Sequence, residues 1–194
     1  DNYEVVTNAA SELASGWHVV VGKVSCGSVA VSGNVHLILM DDCELTASSG
    51  VAGYAGVAVE SGNSLALYAQ VAGAGRLTAA GGYNAAGIGG GCYGSCVSVT
   101  INGGQVTAQG ANVSAGIGGG HSGAGGLITI NGGTVIANGG GNGGNGLGDC
   151  WQIVSETKVE INGGSVFVNK VGNVPVNAAG KNVYCVTVPC TASL

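Results

Sequence analysis

The chain has 194 residues, 40 of them glycine and only 2 proline, with 8% charged residues and a net charge of −5. Five basic residues in all, four Lys and Arg76, cannot build the clustered positive surface that a phosphate backbone calls for, so nucleic acid is excluded as a partner. A mean hydropathy of +0.40 and apolar residues in alternation argue for a folded core despite the glycine, and no apolar run reaches the length of a membrane-spanning helix.

In chain order, residues 1–31 stand apart from the repeat that follows and read as an N-terminal cap with a first coil. The chain opens at Asp1 without an initiator Met, as expected of a mature or trimmed form. From residue 32 a rhythm sets in. Ser32-Gly33-Asn34-Val35 returns as Ser61-Gly62-Asn63-Ser64, 29 residues later. Ala86-Gly87-Ile88-Gly89-Gly90-Gly91 returns at Ala115–Gly120 after the same step, with a frayed copy at Asn145–Asp149. Ile-Asn-Gly-Gly-x-Val occurs at Ile101, Ile130 and Ile161, spaced by 29 and 31 residues. Periods of 20–50 residues mark stacked, nearly identical units.

Within a unit, Val99/Ile128/Val159 and Ile101/Ile130/Ile161 alternate with Ser98/Leu127/Lys158 and Thr100/Thr129/Glu160, the period of a half-buried strand. A second short strand follows at Val106–Ala108, Val135–Ala137 and Val166–Val168, with counterparts at Leu77–Ala79 and Leu45–Ala47. Between the two, Asn-Gly-Gly supplies a sharp turn. Like phrases in like order place like residues on one another, which hairpins would not do. The expected fold is all-β: a single-domain parallel β-helix over 1–194, right-handed by the general chirality of parallel connections, with about five to six coils and capped ends. Repeat coils span 32–168 and a C-terminal cap spans 169–194. Asn102, Asn131 and Asn162 either stack as a hydrogen-bonded ladder at one corner or simply suit the turn.

Seven cysteines suit an oxidising compartment. Cys92/Cys96 and Cys185/Cys190 could close local loops and Cys26/Cys43 could bridge neighbouring units, leaving Cys150 over; all seven could equally be small buried hydrophobes. Their spacing does not suit zinc, and no metal or other cofactor is expected.

The phrases Gly33–Leu39 with Leu45–Ala47, Gly62–Tyr68, and Ala-Gly-Ile-Gly-Gly-Gly with Ile-Thr-Ile-Asn-Gly-Gly-Thr-Val resemble a repeat region of large Gly-rich secreted or surface-anchored bacterial proteins. Such proteins are found especially in Gram-positive gut bacteria and are often labelled adhesin-like or carbohydrate-binding. The likeness covers roughly residues 17–168 and implies a parallel β-helix at a cell surface. Seven cysteines depart from the family's usual scarcity of them.

Chemistry finds little support. Asp41, Asp42 and Glu44, with His36 before them, form the one acidic cluster, and the two aspartates fall where later units have the turn. They read as a solvated corner, with cation binding as the lesser alternative. Arg76 has no acidic neighbour in sequence. His121 beside Ser122 lacks an orienting carboxylate, and Gly143–Asp149 misplaces the Asp of the calcium nonapeptide. No catalytic residue is assigned. Tyr54, Tyr83 and Tyr93 fall in Gly-rich loops that stacking would gather on one side of a rod. With His121 and Trp151 they are the candidate ligand contacts, the alternative being that the rings merely cover the loops. The outward ranks are too irregular for an ice-binding face. The expected function is a secreted or surface-exposed adhesion or glycan-binding module without catalytic activity, meeting an extracellular glycan or a host or cell-surface protein. A structural rod that displays other domains is the second reading, and a polysaccharide-active enzyme the third.

Overall fold

A computed structural model describes residues 3–96, 98–150 and 157–169, and the backbone of 176–177 and 182–185. The described residues form β-strands without any helix long and apolar enough to cross a membrane. A partial turn holds β1 (Tyr3–Val5) and β2 (Glu12–Leu13). Two coils of three strands follow: β3 (Gly16–Val20), β4 (Lys23–Cys26) and β5 (Val29–Val31), then β6 (Asn34–Leu39), β7 (Glu44–Ser48) and β8 (Val57–Ala58). The next is β9 (Ser64–Ala69), β10 (Arg76–Ala80) and β11 (Ile88–Gly89). Then come β12 (Ser98–Ile101), β13 (Gln105–Gln109) and β14 (Ile117–Gly118), and β15 (Leu127–Ile130), β16 (Thr134–Asn138) and β17 (Leu147–Gly148). The chain continues in β18 (Lys158–Ile161), β19 (Ser165–Val168), β20 (Val176–Asn177) and β21 (Asn182–Cys185).

Every pairing joins a strand to its counterpart in the next coil, in parallel, so the chain winds as a parallel β-helix with three sheets. The first sheet has eight strands, from β1 to β20; the second has seven, from β4 to β21; the third has six, from β2 to β17. Seven steps of about 4.8 Å make the first sheet roughly 34 Å wide. One feature goes beyond the expected pair of strands. The coils from β3 to β17 carry a third strand of two or three residues, which in β11 and β14 is hidden inside the Ala-Gly-Ile-Gly-Gly-Gly phrase. Within residues 1–31, β1 to β5 stack in register below β6 to β8, and β20 and β21 extend the sheets beyond β18 and β19.

Aliphatic ranks fill the interior. Val35, Leu65, Val99, Ile128 and Val159 stack in the first sheet, with Leu37, Leu67, Ile101, Ile130 and Ile161 two positions on. Opposite them lie Leu45, Leu77, Val106, Val135 and Val166, and the small rank Ala47, Ala79, Ala108 and Ala137. All these side chains are buried. In the third sheet Ile88, Ile117 and Leu147 point inward while Gly89, Gly118 and Gly148 carry φ of +132, +140 and +107°. A Cβ on Gly118 would stand 1.9 Å from the Gly148 carbonyl oxygen, so position 118 admits only glycine, while the same rank carries Ala30 and Ala58 in the earlier coils.

In Asn-Gly-Gly, the second glycine takes the left-handed conformation: φ is +86° at Gly104, +83° at Gly133 and +78° at Gly164. The asparagine before it forms the ladder. Asn131 Nδ2 donates to Asn102 Oδ1 and Asn162 Nδ2 to Asn131 Oδ1, both at 2.9 Å.

Cys26, Cys43 and Cys92 are free thiols. The expected Cys26–Cys43 and Cys92–Cys96 bridges are therefore not formed. For the first pair the register gives the reason. Lys23 pairs with Glu44 and Cys26 with Ala47, so Cys26 and Cys43 stand four strand positions apart, about 13 Å and far beyond disulfide reach. Burial pushes both thiols above the ordinary value of 9.0, despite hydrogen bonds with the backbone that pull the other way. They behave as the small core residues of the alternative reading. Cys185 lies on β21, and its expected partner Cys190 lies outside the described residues.

Candidate functional site

Two loops leave each middle coil on the same edge, one before and one after the two-residue third strand. They are hydrogen-bonded to each other and to the coils on either side. Gly53 N donates to Tyr83 O and Gly82 N to Tyr54 O, tying the first loops of adjacent coils together. Cys92 N donates to Gly53 O and His121 N to Asn84 O, tying the second loops to the first, and Tyr93 N donates to His121 O, tying adjacent second loops together. The stacking thus brings Tyr54, Tyr83, Tyr93 and His121 to one edge of the molecule, as their loop positions predict.

The three tyrosines are 59, 62 and 75% exposed, so each presents most of its surface to solvent. Tyr93 stands out among them. It is the third residue of a turn closed by Gly94 N donating to Gly91 O, and its φ is +62°. A side chain there costs about 1 kcal/mol or more relative to glycine. Its ring meets His121 edge-on, with centroids 5.4 Å apart. His121 is half-buried against Tyr93, with Nδ1 3.2 Å from Ser122 Oγ. A second asparagine ladder, unforeseen from the sequence, runs beneath this edge. Asn112 Nδ2 donates to Asn84 Oδ1, and Asn142 Nδ2 to Asn112 Oδ1 at 2.6 Å. Its steps of 28 and 30 residues are as regular as those of the first ladder, but its asparagines sit in no repeated phrase. Trp151, the remaining candidate contact, lies outside the described residues.

The acidic cluster is dispersed as its turn position predicts. Asp41 Oδ1 accepts from Ala74 N, Asp42 takes φ +60° and Glu44 pairs with Lys23 at 3.5 Å. Among the described residues no three His, Cys, Asp or Glu side chains gather into a group that could hold a metal. Asp149 is fully buried, accepting from Gly125 N at 2.7 Å and from the Thr157 hydroxyl, which gives it a structural place in the last complete coil.

One aromatic group was not legible in the sequence. On the outer face of the first sheet Trp17 stacks on His36 at 4.5 Å, and Tyr68 leans on Trp17 at 5.2 Å. The register pairs Trp17 with His36, 19 positions apart, because the coil of β3 to β5 has very short turns; a 29-residue period hides the pair. These rings pack chiefly on one another.

The family model for a beta helix repeat matches residues 99–121 and 128–149. Those stretches coincide with the coils β12 to β14 and β15 to β17. No curated protein and no solved structure matches the chain.

Proposed function

We propose that this β-helix is a non-catalytic glycan-binding module of a secreted or surface-exposed protein, with its loop edge as the recognition face. The observation that carries the reading is Tyr93, a ring 75% exposed on a left-handed backbone position that glycine would occupy more cheaply. Outliers of this kind gather where a side chain is held for use. Tyr54, Tyr83 and His121 accompany it on a scaffold whose loops are fixed by backbone hydrogen bonds to their neighbours. Exposed tyrosines combine an apolar face with a hydroxyl, the pairing that a sugar ring presents in return. The low positive charge fits neutral partners. A host or cell-surface protein could use the same rings; a rod that merely spaces other domains gains nothing from an aromatic ring maintained in water. The resemblance to adhesin-like repeat regions points the same way.

A glycan array with the full chain tests this, beside the Tyr83→Ala/Tyr93→Ala double variant. Binding to one glycan class, lost at least tenfold in the variant while its circular dichroism is unchanged, supports the reading. A blank array with the native chain overturns it in favour of the rod or of a protein-binding adhesin. Turnover of any polysaccharide would restore the enzyme.

A further inference from the structure

The loop edge does not run the whole length of the molecule. The coil of β3 to β5 joins its second and third strands with two residues, Gly27 and Ser28, whereas the next coil spends eight, 49–56, on the same connection. The third sheet is therefore bare at β2 and β5, and the loop of the next coil rises beside it as a wall. The step so formed is a cleft of about 370 Å³. Its floor is the outward rank Ala30 and Ala58, with Glu12 next to Ala30 in register. Its wall is Gly53 and Tyr54, and its rim holds Ser11, Ser28 and Glu60.

The groups around this step are arranged for a ligand with both an apolar face and hydroxyls. Tyr54 offers an exposed ring above an alanine floor. Glu60 is fixed rather than loose: its Oε1 accepts from Gly91 N at 2.9 Å, leaving Oε2 without a partner among the described residues. A Cβ on Gly94 would come within 2.7 Å of that same Oε1, so the loop is shaped around the carboxylate. Ser28 Oγ donates to Ala55 O at 2.6 Å, which orients its lone pairs outward as acceptors. The volume lies at the small end of the roughly 300–1,000 Å³ typical of small-molecule sites, enough for one ring and not for an enclosed chain. The charges at the step, Glu60 and Glu12, are both negative and repel carboxylates or sulfates.

We propose that this step binds a single neutral pyranose ring, its apolar face on Tyr54 and its hydroxyls donating to Glu60 Oε2. The inference rests on the glycan-binding reading and assigns it a ligand class and a pocket separate from Tyr83 and Tyr93.

The test is an amide-resolved NMR titration of the full chain with methyl glycosides of glucose, galactose and mannose, and with methyl glucuronide as the acidic comparison. The expected result is saturable shifts at Gly53, Ala30 and Ala58 with at least one neutral glycoside and none with the glucuronide. Affinity should fall tenfold or more in Tyr54→Ala and in Glu60→Gln; the latter keeps an acceptor for Gly91 N, so the loop stays folded. Equal binding of the glucuronide, or unchanged affinity in both variants, overturns the assignment. Shifts confined to the Tyr83 and Tyr93 loops, or a positive array with no shift at the step, overturn the step alone and leave the glycan-binding reading standing.

Discussion

At the scale of the residue, glycine divides into positions that geometry compels and positions that it does not. Gly118 combines φ of +140° with a neighbouring carbonyl oxygen 1.9 Å from where a Cβ would sit, and that oxygen is backbone, belonging to Gly148 in the next coil. Gly50 has open space around it and an ordinary φ. Gly118→Ala should destabilise the protein by about 2 kcal/mol or more, and Gly50→Ala by less than about 0.5 kcal/mol, in urea unfolding. Equal effects would mean that the Gly-rich phrase serves solubility or sequence drift rather than close backbone approach. Tyr93 is the converse case, a large side chain retained where glycine would fit better, and this contrast is what directs attention to its edge.

At the scale of the element, a coil has no partner within itself; each strand finds its hydrogen bonds only in the coil above and below. Corner ladders add to that cohesion. Asn131 takes part in two side-chain hydrogen bonds, as donor to Asn102 and acceptor from Asn162, whereas Asn102 takes part in one. With about 0.5–1.5 kcal/mol for a typical net hydrogen bond, Asn131→Ala should cost about twice what Asn102→Ala costs in thermal unfolding. The second ladder, Asn84 to Asn112 to Asn142, does for the loop edge what the first does for the corner, and so holds the tyrosines in fixed relation. The loops differ in length from coil to coil, and the largest difference, between β4–β5 and β7–β8, creates the step beside Tyr54.

At the scale of the whole molecule, stability is a sum of coil interiors and coil–coil interfaces. The aliphatic ranks are unbroken from β6 to β19, while β1 is exposed at all three positions. Amide hydrogen exchange should therefore be slowest in β9 to β16 and faster by orders of magnitude in β1, with protection falling outward from the middle. Uniform protection along the chain would indicate a single all-or-none unit instead. With 8% charged residues and, among the described residues, two Lys–Glu ion pairs whose lysines are well exposed, electrostatics contributes little to this cohesion.

The repeat itself was enough to indicate the parallel β-helix and the inward ranks, because stacking in register turns a sequence period directly into a spatial neighbour; for Asn102, Asn131 and Asn162 it left ladder and turn open, and the side-chain hydrogen bonds decide for the ladder. The loop positions of Tyr54, Tyr83 and Tyr93 likewise predicted one common edge. What the period could not convey lies where it breaks. The two-residue third strand is concealed by glycines that lack a hydrophobic alternation. Trp17 meets His36 across a short coil, and Cys26 misses Cys43 because register and not proximity in sequence decides which side chains face. The step at Tyr54 exists because one coil is shorter than the next. Such differences in turn length change what is adjacent without altering the pattern of any single strand, so only the assembled coils reveal them.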